Sequence, residues 1–146
     1  MRFFFMKVVV ILFILQALLI RGEDVVVAFH AEYDFKALDE EGVFSFTKGD
    51  DIVPDTKLLK ELLVIIEKPK IVDLVLGKSD GDFLMVINSK SYRIGLVDAN
   101  REKRISFIFV EKKGERYDSV PNVSSKHVIV SQKMYERLKK MMAENK

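Results

Sequence analysis

Residues 31–52, AEYDFKALDEEGVFSFTKGDDI, most constrain how this chain of 146 residues can fold. They begin with an aromatic–acidic–aromatic step and pass through an acidic turn that ends at a glycine. Alternating apolar and polar residues then lead into a Lys-Gly-Asp turn. A period of two predicts strands with one buried face, and a cluster of acidic residues with glycine predicts a loop. The stretch therefore predicts two short strands around an acidic loop, in a mainly β fold.

This stretch resembles the first third of an SH3 domain. That family opens with Ala-Leu-Tyr-Asp-Tyr, an acidic loop, Leu-Ser-Phe and Lys-Gly-Asp. The resemblance resumes at residues 80–83, DGDF, in the place of the family's Asp-Gly-Trp-Trp. Residues 95–100, GLVDAN, resemble its Gly-Leu-Phe-Pro-Ser-Asn signature. The resemblance spans residues 27–111, and residues 53–78 are an insertion that the family lacks. It implies an SH3-like small barrel over residues 23–111.

The resemblance also implies a partner-binding surface. SH3 domains bind proline-rich peptides in a shallow aromatic groove, and such peptides are already extended before they bind. The groove positions, together with the acidic loop, fall on Tyr33, Phe35, Asp39, Glu40, Glu41, Asp82, Asp98 and Arg101. The last three replace a tryptophan, a proline and a tyrosine, and the chain contains no tryptophan. We therefore expect an SH3-like module with a degenerate proline-binding groove, whose acidic loop suits a basic protein or peptide partner.

These candidate residues also have purely structural interpretations. Tyr33 suits either the core or the half-wet rim of a groove, because it combines an apolar ring with a hydroxyl. Phe44 and Phe46 are expected in the core. The acidic triplet at residues 39–41 is also what an ordinary solvated loop carries.

Residues 1–22 predict a signal peptide. Arg2 and Lys7 provide positive charge, an apolar run follows, and Gly22 is a small residue at which a peptidase could cut. A retained signal anchor is the alternative, because the apolar run approaches the roughly 20 residues of a spanning helix. Both place the rest of the chain outside the cell or in the lumen of the endoplasmic reticulum, and only the anchor predicts contact with a membrane.

The layout of a signal peptide followed by one SH3-like domain resembles the secreted melanoma inhibitory activity and otoraplin family. Members of that family stabilise their barrels with paired cysteines, whereas this chain contains no cysteine. Disulfides, zinc–thiolate sites and cysteine nucleophiles are therefore excluded.

The charge distribution bears on the class of partner. Residues 23–110 carry 12 basic and 17 acidic side chains, and residues 111–146 carry nine and five. Together residues 23–146 carry 21 basic and 22 acidic side chains, so their net charge is close to zero. This argues against nucleic acid as a partner, because nucleic-acid binding depends on basic side chains that neutralise phosphates.

Catalytic motifs are not recognisable in the sequence. No nucleophile–base pair or glycine-rich phosphate loop is identifiable, and the acidic pairs lack the spacing of an EF-hand calcium site. We expect a protein that is not an enzyme and has no metal or cofactor. The alternative is a small secreted hydrolase or ligand carrier on an unrelated β-barrel, with the insertion lining a pocket.

The remaining segments predict secondary structure around the barrel. In the insertion, Pro54 and Asp55 predict a helix start, although residues 62–67 also suit a strand. Residues 71–76 predict a strand and residues 77–81 a turn. Residues 112–130 predict a polar linker with a glycosylation sequon at Asn122.

Residues 131–146 predict an amphipathic C-terminal helix capped by Ser131. We expect its apolar face to dock onto the protein's own barrel. The alternative is that its basic face meets an acidic partner or a membrane surface.

Overall fold

The computed structural model describes residues 26–33 and 42–144. These residues form eight strands and two helices. The strands are β1 (Val26–Tyr33), β2 (Ser45–Ile52), β3 (Ile71–Val72), β4 (Lys78–Ile87), β5 (Lys90–Ala99), β6 (Glu102–Lys113), β7 (Arg116–Ser119) and β8 (Lys126–Val130). Helix α1 (Thr56–Glu67) follows β2, and helix α2 (Gln132–Ala143) follows β8. The predicted mainly β fold, with a helical insertion and a C-terminal helix, is confirmed.

The strands form one antiparallel sheet in the order β3-β8-β6-β5-β4-β1-β2-β7, and β7 also pairs with β6. Strand β6 can pair with both β7 and β8 because each of them occupies a different part of the same edge of β6. Its residues 103–107 pair with β8, and its residues 110–113 pair with β7. Strands β6, β5, β4, β1, β2 and β7 therefore form a partly closed ring, and β8 with β3 extends from the ring as a wing.

Alternation along the strands gives the sheet two apolar faces. On one face the strands pack against both helices, and this larger cluster includes Phe83, Ile94 and Ile105, which are fully buried. On the other face the side chains fill the ring interior, and in the described part of the chain the buried ones all come from strands. The buried residues of this second cluster are Phe29, Phe46, Leu84, Ile108, Val110 and Tyr117.

Helix α1 starts where the sequence predicts. The Asp55 carboxylate accepts a hydrogen bond from the Leu58 backbone N–H at 3.2 Å and so caps the helix. Apolar residues recur with helical period, and Leu58, Leu59, Leu62 and Ile66 are buried against the sheet. The helical interpretation of the insertion therefore holds, because a strand over residues 62–67 would turn alternate apolar side chains away from this core.

Helix α2 docks onto the protein's own sheet. Ser131 caps it by accepting a hydrogen bond from the Met134 N–H at 3.1 Å. Its buried residues are Tyr135, Leu138, Met141 and Met142. Arg137 joins the two helices, with 3.4 Å between its guanidinium nitrogens and the carboxylates of Asp55 and Glu61. The expected docking of the apolar face is therefore what the structure shows.

The linker expected over residues 112–130 is corrected by the structure. This segment contains the end of β6, all of β7 and all of β8, and it supplies the buried side chains of Tyr117, Val128 and Val130. The polar residues that suggest a linker alternate with these apolar ones or occupy the turns between the strands. The segment closes the ring and builds the wing.

The segment before β4 also differs from the prediction. Only Ile71–Val72 forms the strand expected over residues 71–76, and the turn expected over residues 77–81 lies mostly in β4. Strand β4 accommodates the polar residues through an irregularity between Ser79 and Asp82. Residues 73–77 cross from β3 to β4 without regular structure.

No helix in the described part of the chain is long and apolar enough to cross a lipid bilayer. The signal peptide predicted over residues 1–22 lies outside the described residues.

Truncating the docked face of α2 is expected to destabilise the whole fold. Leu138 is completely buried, so Leu138→Ala should lower the free energy of unfolding by about 2–5 kcal/mol. Val64 on α1 is exposed, so Val64→Ala should change it by less than about 0.5 kcal/mol. Urea denaturation of both variants measures the difference, and equal effects would mean that α2 does not dock.

Candidate functional site

Tyr33 and Asp82, two of the sequence-predicted residues, lie at the same end of the ring interior. Tyr33 ends β1 and pairs with Phe46 of β2, while Asp82 pairs with Gly95 across β4 and β5. Arg93 lies between them on the same face, because its neighbours in β5 face the helices. We call Tyr33, Phe46, Asp82, Arg93 and Ser106 the mouth cluster.

Arg93 holds the mouth cluster together. Its Nη2 donates to Asp82 Oδ2 at 3.0 Å, its Nε donates to the same oxygen at 3.3 Å, and its Nη1 donates to Ser106 Oγ at 3.0 Å. Its Cζ also lies 5.7 Å from the centre of the Phe46 ring, within reach of a cation–π contact. The Arg93 side chain is 18% exposed and that of Asp82 is 27% exposed, so this ion pair remains accessible to a partner.

The position of Arg93 depends on a glycine. A Cβ at Gly95 would lie 2.7 Å from Ser106 Oγ and 3.0 Å from Arg93 Nη1. Any side chain at position 95 would therefore displace the guanidinium or the hydroxyl. Gly95 leaves the space that allows Arg93 to reach across β5 to β6.

Tyr33 lies at the half-wet rim of the ring rather than in its centre. Its ring packs edge-on against Phe44 and Phe46, with centroid distances of 6.3 Å and 5.0 Å. Burial raises the pKa of the Tyr33 phenol, while the charge of Arg93 opposes the rise and that of Asp82 adds to it. The phenol is therefore neutral at physiological pH, with a hydroxyl that can both donate and accept a hydrogen bond.

A second charged group, centred on Asp80, lies within the irregularity in β4. The Asp80 carboxylate, 8% exposed, accepts a hydrogen bond from the Tyr135 hydroxyl and lies 3.9 Å from Lys139 Nζ and 4.0 Å from Lys78 Nζ. The hydrogen bond from Tyr135 lowers the pKa of Asp80, burial opposes this, and the lysines add to it. Burial is the main cause that raises the pKa of the Tyr135 hydroxyl, and the hydrogen bond to Asp80 adds to it. The ionised Asp80 carboxylate therefore accepts and the neutral Tyr135 hydroxyl donates, and this hydrogen bond connects β4 to α2.

Asp80 and Asp82 both line an open cleft of about 300 Å³. Its other lining residues are His30, Ala31, Gly81, Lys139, Met142 and Ala143. The Asp82 carboxylate pairs with Arg93, and the Asp80 carboxylate lies near Lys78 and Lys139. The lowered pKa of Asp80 also makes it poorly matched to general acid catalysis near neutral pH. Among the described residues, no three His, Asp or Glu side chains come together in a way that could hold a metal ion.

The other sequence-predicted residues do not join the mouth cluster. Asp98 pairs with Lys103 at 2.7 Å and lies an odd number of positions from Arg93 along β5, so it points to the helix side. Arg101 is exposed in the turn between β5 and β6. Phe35, Asp39, Glu40 and Glu41 lie outside the described residues.

Asn122 lies in the turn between β7 and β8. It is exposed, has a φ of 61°, and its backbone N–H donates to the Gly42 carbonyl at 3.3 Å. Asn122 therefore lies on the surface, as an asparagine must if it is to accept a glycan.

Sequence reasoning missed Arg93 and Ser106. The available signal is the alternation in residues 91–96, SYRIGL, where polar or small residues alternate with apolar ones. An arginine on the inner face of such a strand requires a partner, because a buried charge is costly without one. Asp82 lies on the neighbouring strand, but its register with β5 is not visible in the sequence.

Comparisons with protein families, with curated proteins and with solved structures found no match for this chain. Its function is therefore inferred from its own residues.

Replacing Asp80 should weaken the fold in a pH-dependent way. Asp80→Asn should lower the free energy of unfolding by about 1–3 kcal/mol at pH 7, because it removes a charged acceptor from Tyr135. A carboxyl with a lowered pKa stabilises the fold above its unfolded pKa of about 3.9 and loses this effect as the pH falls through its folded pKa. The difference between the two proteins should therefore begin to shrink near pH 4 and be lost as the pH falls through the folded pKa of Asp80, which lies lower.

Urea denaturation between pH 2 and pH 8 measures this convergence. Asp51→Asn is the control, because the Asp51 side chain is 78% exposed in its pair with Lys48. A constant difference between wild type and Asp80→Asn at all pH values would show that the Asp80 charge has no role.

The ion pair of the mouth cluster should show direct coupling. Arg93→Met keeps the apolar stem and Asp82→Asn removes the partner charge, so the two changes should be less harmful together than their sum. A double-mutant cycle on the free energy of unfolding should give a coupling of about 1 kcal/mol. Additive effects would indicate that the two side chains do not interact in solution.

Proposed function

We propose that this chain is a non-catalytic protein-binding module with an SH3-like small barrel, acting in the secretory pathway or outside the cell. The mouth cluster is its partner-contact surface. The observation that carries the proposal is the half-exposed Tyr33 ring, held edge-on by two phenylalanines beside the accessible Arg93–Asp82 pair. Aromatic and arginine side chains fixed in this way are typical of the residues that dominate protein interfaces.

The acidic loop adjoins this surface in the chain. Residues 34–41 follow Tyr33 directly and contain four acidic residues and one lysine. A basic segment of a partner protein would meet this charge while an apolar side chain packs on Tyr33. In the SH3 resemblance Asp82 stands where the family has a tryptophan, so we propose that polar contacts of the Arg93–Asp82 pair replace proline stacking.

The same geometry favours contact with a protein over catalysis or enclosure of a ligand. The carboxylates of Asp80 and Asp82 are engaged by a tyrosine, two lysines and an arginine. The cleft that they line is open to solvent.

Site-specific photocrosslinking tests the proposal. The full chain is expressed with its own leader in secretory cells, with a photoreactive phenylalanine analogue at position 33 or, as a matched control, at the exposed Val64. We expect a discrete protein adduct at position 33 and none at position 64. An absence of adducts at position 33, or equal adducts at both positions, would contradict the proposal.

The crosslinked protein, once identified, provides the quantitative test. Tyr33→Ala should weaken its binding at least about tenfold, as expected for loss of a central aromatic contact, while Val64→Ala should leave the Kd unchanged. Asn122→Gln in the same cells reports entry into the lumen, through loss of a glycan mass. An unglycosylated wild-type chain in the cytosol would contradict the localisation without bearing on the binding surface.

A further inference from the structure

The crossover between β3 and β4 exposes large apolar side chains. Leu76 is 95% exposed, Leu74 is 76% exposed and Ile71 is 55% exposed. Isolated surface leucines are ordinary, but several within six residues on one projecting segment mark a contact surface. We call residues 68–78, KPKIVDLVLGK, the leucine loop.

The leucine loop is fixed at both ends. Ile71 and Val72 pair with β8, and Arg104 Nη1 donates to the Asp73 carbonyl at 2.5 Å. At the other end, a Cβ at Gly77 would lie 2.8 Å from the Asp98 carbonyl oxygen, so this glycine lets the loop lie directly on β5. The leucines therefore project from an anchored base instead of folding back onto the core.

The charge of the leucine loop is opposite to that of the body around it. Lys68, Lys70 and Lys78 flank the apolar residues, and Asp73 is the loop's acidic side chain, whereas residues 23–110 as a whole carry an acidic excess. All three lysines are exposed. Lysines beside exposed leucines match an anionic bilayer, whose headgroups attract the ammonium groups while its acyl region accepts apolar side chains.

The exposure of Leu74 and Leu76 favours a bilayer over a folded partner. A protein would need a pocket shaped for Leu74 and Leu76, whereas the interface of a bilayer accepts projecting apolar side chains without one. We propose that the leucine loop is a peripheral membrane-contact site for anionic lipid surfaces. It acts independently of residues 1–22 and of the mouth cluster.

A fluorescent label at the tip of the loop tests this proposal. The chain contains no cysteine, so Leu76→Cys can be labelled with nitrobenzoxadiazole at that site alone. Val53→Cys is the matched control, because Val53 is exposed at the far end of α1. The signal is local, so any contact made by residues 1–22 does not contribute to it, and thermal melting confirms that both variants fold.

With vesicles containing phosphatidylserine, the label at position 76 should brighten about twofold and shift to the blue as it enters the interface. The label at position 53 should not change, and vesicles of phosphatidylcholine alone should have little effect. In the Leu76→Cys background, Lys68→Gln and Lys70→Gln together should weaken the response to vesicles roughly 25-fold, because each lysine contributes about a factor of five. Lys78 is left in place because it also lies 4.0 Å from Asp80.

Three results would overturn the proposal. The first is an unchanged spectrum at position 76 with anionic vesicles, and the second is an equal response to neutral vesicles. The third is a blue shift that grows with protein concentration without vesicles, which would identify a second copy of the chain as the occupant.

Discussion

Strand β6 is the element on which the rest of the structure depends. It pairs with β5 along residues 102–110, while its opposite edge is divided between β8 and β7. This division lets one sheet be both a ring and a wing. Among the described residues, the buried side chains of the ring interior come from strands, whereas the helix-side core extends over the ring and the wing. The mouth cluster depends on the pairing of β6 with β7, which closes the ring. The leucine loop depends on the pairing of β6 with β8, which in turn pairs with β3.

The two surfaces follow from this arrangement. The mouth cluster forms where β1, β2, β4, β5 and β6 meet at one end of the ring. The partly buried charge of Arg93 is stabilised there by Asp82, Ser106 and the Phe46 ring. The leucine loop forms because the chain must return from β3, at the edge of the wing, to β4 within the ring. Arg104 and Gly77 hold that crossing against the sheet. A module with both surfaces could contact a protein partner while resting on a membrane.

Local signals predicted much of the fold. The caps at Asp55 and Ser131 set the starts of both helices, and the amphipathic pattern after Ser131 predicted a C-terminal helix with one apolar face. The period-two alternation around Phe46 placed it in the core. These features need only near neighbours in the chain, so a single sequence is sufficient to show them.

Long-range pairings were beyond the reach of the sequence. The turns rich in glycine, proline and serine near Asn122 suggested a linker, although Tyr117 and Val128 on either side are buried in distant pairings with β2 and β6. The residues of the predicted site lie on two faces of the sheet, because strand register is also not visible in the sequence. Asp82 joins Tyr33 through the register of β4 with β5 and β1, while Asp98 turns to the helix side.

The measurement that tests the account most directly is a set of nuclear Overhauser contacts along the edge of β6 that β7 and β8 share. The structure requires contacts between Val110 and Ser119, which close the ring, and between Ile105 and Val128, which attach the wing. We expect both sets in one uniformly labelled sample. If β6 contacted either β7 or β8 but not both, the partly closed ring with its wing would be wrong, and the two proposed surfaces would lose their structural basis.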